Sequence, residues 1–150
     1  MIIRSLKKLE VDAEPYLVWN AFVEILAMGD EADLSPEQRP AQFVFWYESE
    51  VQNGGHFQFF ENWGAKHLAV TIDALGLLGA ICQQQILREA GDVWLSRSRP
   101  RVLSVKEFCD TALDSEFEAY DSQFYSCSPS LQQILEAYLE SHQSLFVRVT

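Results

Sequence analysis

Several things are scarce in this 150-residue chain, and each scarcity removes a class of function. No apolar run approaches the roughly 20 residues that a membrane-spanning helix needs. Residues 1–10 carry Arg4, Lys7 and Lys8 but neither the apolar core nor the small-residue cleavage site of a secretion signal. The three cysteines, Cys82, Cys109 and Cys127, are odd in number and show no CxxC spacing. That pattern speaks against a disulfide framework and a zinc site, and leads us to expect a cytoplasmic protein. Bases are few: 11 Lys and Arg stand against 22 Asp and Glu, a net charge of −11. A protein that grips nucleic acid needs the opposite balance, so direct binding to DNA or RNA is not expected. An acidic chain either stays soluble by its charge or binds something basic.

Catalytic motifs are equally sparse. HExxH is absent, and His56, His67 and His142 do not pair at i,i+4. A metal set drawn from His56, Glu61 and His67 has no recognised ligand spacing. Asn53-Gly54-Gly55 is not followed by the GK[ST] of a phosphate loop. None of the cysteines carries a nucleophile signature, and Cys82 and Cys109 fall on expected inward stripes, as small core residues do. The reading is no cofactor, no metal and no enzyme. An enzyme with an aromatic pocket near Phe57, Phe59 and Trp63 is the outlying alternative.

What is present is helical. Hydrophobic residues make up 48% and aromatics 13%, enough to fold one domain over residues 1–150 around a single core. Residues 1–12 could form a short strand or an arm. Glu14 to about Met28 reads as a mostly buried helix with Pro15 in its first turn. Ser35 and Gln38 form a capping box for a helix reaching about Gln52, with Phe43, Val44, Tyr47 and Val51 inward and Gln42 and Glu50 away from that stripe. Pro40, near the first turn, can shift its start. Lys66–Leu78 and Ile81–Leu95 read as an antiparallel pair joined at Gly79-Ala80, the second with Cys82, Ile86, Ala90 and Val93 as its stripe. Ser104 and Glu107 form another capping box. Behind it, Val105, Phe108, Cys109, Ala112, Leu113, Phe117, Tyr120 and Phe124 keep helical spacing. Glu116 interrupts that arc, so either the helix breaks near Asp114-Ser115 or Glu116 has a basic partner. Ser128-Pro129 opens a last helix through about His142, with Leu131, Ile134, Leu135, Tyr138 and Leu139 inward, and Phe146 tucks the tail back. The fold expected is all-α, a compact domain of about six helices.

Two stretches stand out. In the first, Glu48–Gly64 (ESEVQNGGHFQFFENWG), two glycines separate a helix from an aromatic run. Asn53-Gly54-Gly55 reads as a helix stop and sharp corner, because glycine reaches left-handed backbone without a Cβ clash. Phe57, Phe59, Phe60 and Trp63 read as a short helical plug for the core. Gln58, Glu61 and Asn62 read as turn and cap partners. The second stretch is an acidic line, Glu107, Asp110, Asp114, Glu118 and Asp121, spaced 3, 4, 4 and 3. On a continuous helix these acids fall within an arc of roughly 80°, about 4.5–6 Å apart in rise, loosely like successive phosphates. Lys106 is the only Lys or Arg between residues 102 and 147, against eight acids. The line is either an ordinary wet face or a phosphate-like ridge for a basic partner. The basic loop 97–101 is either a solvated linker, an internal partner for the acids, or a subunit contact.

The Glu48–Asn62 segment resembles a bacterial domain family whose hallmark is a helix ending in NGG followed by F-x-Q-F-F-x-N. Asn53, Gly54, Gly55, Phe57, Gln58, Phe59, Phe60 and Asn62 carry the match. Ala74-Leu75, Leu78-Gly79-Ala80, Ile86-Leu87, and Tyr138-Leu139 with His142 and Phe146 extend it over about residues 40–146. Its best-known relative is an acidic DNA mimic that occupies the DNA-binding surface of a transcription factor. The resemblance implies an all-helical domain, a homodimer, and binding rather than catalysis; it carries over no functional residue. Two partners fit the charge: a basic transcription regulator or nucleoid protein, bound by DNA mimicry, or a toxin with a basic active site, neutralised as immunity proteins do.

Overall fold

The computed structural model describes residues 1–99, 102–112 and 115–150. Its order is β1 (Arg4–Leu6), α1 (Lys8–Ala13), α2 (Tyr16–Met28), α3 (Arg39–Trp63), α4 (Leu68–Leu77), α5 (Ile81–Leu95), α6 (Val105–Ala112), α7 (Glu118–Ser126), α8 (Leu131–His142) and β2 (Val147–Val149), with single 3-10 turns between some of them. The all-α expectation holds, with two additions. The arm at residues 1–12 becomes β1 and α1, and β1 pairs in parallel with β2, Arg4 opposite Val147. The long C-terminal helix divides into α6 and α7. Eight α-helices among the described residues therefore replace the expected six or so.

Central α3 touches α2, α4, α7 and α8. Its start follows from local chemistry. The Ser35 N–H donates to Gln38 Oε1 at 3.0 Å, and the Gln38 N–H donates to Ser35 Oγ at 3.3 Å, the two halves of a capping box. Gln38 is fully buried, and its Nε2 donates to the carbonyls of Ile2 and Leu145, tying both chain ends to this turn. Pro40 sits in the first turn, where no amide is needed, and the helix starts at Arg39. Phe43, Val44, Tyr47 and Val51 face inward as their spacing predicts.

Gln42 corrects the stripe: it is fully buried, not turned away. Its Nε2 donates to the carbonyls of Leu26 (3.2 Å) and Gly29 (2.7 Å), satisfying acceptors that the end of α2 leaves open. Nor is α2 mostly buried; Ala21, Phe22, Ile25 and Leu26 form one inward face, while Tyr16 and Met28 are exposed.

The pair α4–α5 is antiparallel. A Cβ added at Gly91 would stand 2.9 Å from Leu68, and one at Gly76 would stand 2.5 Å from Gln84 Nε2, so opposite ends meet. The inward face of α5 is Gln83, Ile86, Leu87, Ala90 and Gly91, rotated from the expected one. Cys82 is exposed and Gln83 takes the inner place, its Nε2 donating to the Pro129 carbonyl at 2.9 Å.

Cys82 and Cys127 form a disulfide, against the expectation from cysteine spacing. The two lie 45 residues apart, and only the packing of α5 beside α7 brings them together. Cys109 is free and exposed and Val105 is exposed, so of the apolar arc expected through α6 Phe108 packs inward, 5.1 Å from Phe57 between ring centres, and these two do not; Leu113 lies outside the described residues.

Ser130 and Gln133 cap α8 reciprocally, and Leu131, Ile134, Leu135 and Leu139 are buried. Phe146 is fully buried, edge-on to Phe22 at 4.8 Å between ring centres, which fixes the tail as expected.

Candidate partner-binding surface and its internal scaffold

Residues Asn53, Gly54 and Gly55 turn α3 through a corner. Gly54 (φ −153°, ψ 21°) and Gly55 (φ 72°, ψ −175°) leave helical geometry, and helix resumes at once. Gly55 occupies a backbone region essentially reserved for glycine. Beyond the corner, Phe57, Phe59 and Phe60 are buried, and Trp63 stacks on Trp46 at 4.8 Å. Phe60 stacks on Trp94 at 5.1 Å and meets Phe117 at 5.3 Å. The polar members of the segment brace the corner from outside. Asn53 Nδ2 donates to Gln58 Oε1 at 3.1 Å, and Gln58 Nε2 and Asn62 Nδ2 both donate to Glu50 Oε2, at 2.8 and 2.7 Å. The aromatic segment is thus filled core with a hydrogen-bonded rim, the role its composition suggested.

Behind the corner lies a buried chain of three residues. The Tyr47 hydroxyl is 2.7 Å from His56 Nε2, and His56 Nδ1 is 2.6 Å from Asp121 Oδ1. The same carboxylate oxygen accepts from the His56 backbone N–H at 2.9 Å. A carboxylate can only accept, so His56 Nδ1 carries a proton and donates to Asp121. Burial, and then the Asp121 carboxylate, push the Tyr47 phenol well above the ordinary tyrosine range, so it remains a donor. Tyr47 and His56 are fully buried, and Asp121 is about one-third exposed. A Cβ at Gly55 would stand 2.5 Å from Asp121 Oδ2, so a glycine at the corner is what lets α7 come this close.

The acidic line is therefore distributed over two helices. Glu107 and Asp110 lie on α6, Glu118 and Asp121 on α7, and Asp114 falls outside the described residues. Of the two explanations for Glu116, both apply. The chain leaves helix before α7, with Ser115 at φ 58°. Glu116 meets Arg99 at 2.6 Å and Arg97 at 2.9 Å. Hydrogen bonds from Arg99, with those from Arg97 and the charges of both, hold the Glu116 carboxyl down at about 2. Arg99 also lies 4.4 Å over the Trp94 ring and donates to the carbonyls of Trp94 and Val93. This part of the basic loop is an internal partner for an acid rather than a solvated linker; Pro100 and Arg101 are outside the described residues.

The remaining acids form the surface. Glu107 is exposed; its N–H donates to Ser104 Oγ at 3.1 Å, one half of the expected box, and its carboxylate accepts the N–H of Leu103, one residue earlier, at 2.8 Å. Asp110, Glu118, Glu136 and Glu140 are exposed and stand in no ion pair among the described residues. Glu136 and Glu140 are one turn apart on α8. Burial raises the Glu48 carboxyl, and the Glu136 charge across the α3–α8 contact raises it further. Elsewhere Glu24 is paired with Arg4 at 2.9 Å and Asp12 with Lys8 at 2.9 Å, while exposed Glu14, Asp33, Asp73 and Asp92 also stand in no ion pair among the described residues.

The structure does not assemble the candidate metal set. His56 is committed to Tyr47 and Asp121, the ring of His67 packs against Trp63 at 4.8 Å, and Glu61 faces the Val102 backbone and Arg99. Among the described residues, no group of three His, Cys, Asp or Glu is placed to hold an ion, and no helix is long and apolar enough to cross a membrane. The Tyr47–His56–Asp121 chain escaped the sequence reading. Its one local signal is a histidine set between the glycine corner and the phenylalanines, where a buried polar side chain requires partners.

A search of curated proteins and of solved structures gave no match. The family model described as "DMP19-like protein" matches residues 32–142. That span holds the glycine corner, the aromatic plug, the buried Tyr47–His56–Asp121 chain and most of the acidic surface, and on this match the chain belongs to the DMP19-like protein family.

Proposed function

We propose that this protein is a non-catalytic acidic binder that acts as a DNA mimic, occupying the DNA-binding surface of a basic transcription regulator or nucleoid protein. The observation that carries the reading is the set of solvent-facing acids on α6, α7 and α8. Asp110, Glu118, Glu136 and Glu140 are exposed and have no basic partner among the described residues, and Lys106 is the only Lys or Arg in the sequence from residue 102 to 147. Glu107 lies beside Asp110 on α6, and Asp114, the remaining member of the acidic line, is outside the described residues. Asp121 contributes charge at its edge while its Oδ1 holds His56. Such a surface attracts a protein that evolved to meet phosphates, and repels nucleic acid itself. Membership in the DMP19-like family supports a binding role.

The test is capture from the native cell, with competition by duplex DNA. A basic DNA-binding protein should be retained at low salt, released toward 1 M salt as the screening length falls to about 3 Å, and displaced by DNA. The variant Asp110→Lys/Glu118→Lys/Glu136→Lys/Glu140→Lys should lose it. A captured partner that DNA does not displace, or one retained by the reversed variant, refutes mimicry. Capture of a toxin in its place would establish the immunity reading instead.

A further inference from the structure

The Cys82–Cys127 disulfide is placed where solvent thiols can reach one of its sulfurs. Cys82 lies in the first turn of α5 and is exposed; Cys127 follows directly on α7 and is buried. On the solvent side of the bond, α5 and α7 frame an open groove of about 530 Å³, whose walls include Cys82, Gln85, Glu89, Ser122, Gln123 and Ser126. Ile86 completes the lining, and no aromatic side chain stands in it. Exposed disulfides are the readily exchanged ones, because the attacking thiolate must reach a sulfur.

The bond also brackets a segment with uneven anchorage. Between Cys82 and Cys127 run the rest of α5, α6 and α7. The N-terminal end of α7 is fixed by Phe117 in the aromatic core and by Asp121 on His56. Its last turn is held by one buried side chain, Phe124, packed against Tyr47. Phe124 is the only buried residue of α7, Tyr125 is exposed, and the Tyr125 hydroxyl makes a long 3.4 Å contact with the Val51 carbonyl. The covalent link to α5 comes immediately after this turn.

We infer that the Cys82–Cys127 bond is an exchangeable redox brace, opened through Cys82 by a dithiol reductant, which removes the covalent tie between α5 and the C-terminal end of α7 and loosens the last turn of that helix. The thiolate of the reductant attacks Cys82 Sγ, forming a mixed disulfide, and the sulfur–sulfur bond breaks toward Cys127, which leaves as a thiolate and takes up a proton. The second thiol of the reductant then attacks its own sulfur in the mixed disulfide, freeing Cys82 as a thiolate that is protonated in turn. Two electrons and two protons pass to the protein, and the reductant becomes a disulfide. The inference stands whether or not the acidic surface mimics DNA.

The test uses the full chain carrying Cys109→Ser, so that no third thiol can scramble the pair, with dithiothreitol as the reductant. Native-state reduction should add two hydrogens by intact mass and expose two thiols to alkylation. Hydrogen exchange should then quicken about tenfold or more across the last turn of α7, Gln123–Ser126, with Phe22–Leu26 and Val44–Val51 unchanged. A Cys82→Ser/Cys109→Ser chain should show the faster exchange without reductant and no response to it. The inference is overturned if the bond is absent from the oxidised chain, or resists dithiothreitol until the protein unfolds. It is also overturned if exchange in α7 is unaffected by reduction, or if all helices lose protection together.

Discussion

Replacing Gly55 by alanine tests the central contact of this fold. The residue sits at φ 72°, ψ −175°, and an added methyl would stand 2.5 Å from Asp121 Oδ2 and 3.1 Å from Oδ1. Two penalties follow. Holding a non-glycine residue in that backbone region costs about 1–3 kcal/mol. The carboxylate must also retreat, which breaks or lengthens its bonds to the ring and backbone N–H of His56, now 2.6 and 2.9 Å. Losing one such bond to a charged acceptor costs about 1.5–3 kcal/mol. The sum, about 2.5–6 kcal/mol, is a large part of the ~5–15 kcal/mol that stabilises a typical domain. Urea unfolding followed by circular dichroism measures it, with the slope checked for constancy. The Asp121→Ala background separates the two penalties. There Gly55→Ala should cost only the backbone strain, leaving a coupling of about 1.5–3 kcal/mol between the sites. A cost below about 1 kcal/mol for Gly55→Ala in the otherwise intact chain would refute the strained corner, and an equal cost in both backgrounds would refute the carboxylate contact.

Removing the Tyr47 hydroxyl with Tyr47→Phe leaves buried His56 Nε2 without its 2.7 Å partner, and should lower unfolding stability by about 1–3 kcal/mol with little change in the circular dichroism spectrum. Glu116→Gln should destabilise the protein at neutral pH by about 1 kcal/mol, allowing for solvent screening of the arginine contacts. The folded carboxyl is held at about 2, below its ordinary 4.5, so that stabilisation is present above pH 4.5 and is lost as pH falls toward 2. Unfolding curves of the two proteins should converge over that window; a gap that persists at pH 2 refutes the ion-pair account. Reversing Glu107 alone should weaken α6, since its carboxylate accepts the Leu103 N–H at 2.8 Å. The neighbouring Asp110→Lys should leave stability within about 0.5 kcal/mol, as surface changes usually do. Thermal unfolding of the two variants distinguishes a capping acid from a purely surface one.

The sequence by itself determined the local events. Ser35 with Gln38 marks the turn before α3, Asn53-Gly54-Gly55 marks its corner, and the spacing of Phe43, Val44, Tyr47 and Val51 marks its inward face. Each signal operates within a turn or two of helix, where the chain fixes the distance between the interacting groups. Composition fixed the charge, and the aromatic run after the corner could only be stable as core. What lay beyond those distances was decided by tertiary packing. His56 and Asp121 are 65 residues apart, Cys82 and Cys127 are 45 apart, and Arg99 and Glu116 are 17 apart. Nothing in the spacing of either member selects the other; the partners are chosen by which helices pack together. The same cause explains the buried amides of Gln38, Gln42 and Gln83, which look like surface residues until the carbonyls they satisfy are seen. Periodicity shows where side chains point, but only the assembled helices divide the acids into those that hold the fold, Glu116 and Asp121, and those left facing solvent, such as Asp110 and Glu118. A charge confers function only if no neighbour already holds it, and which neighbours are present is a property of the packing.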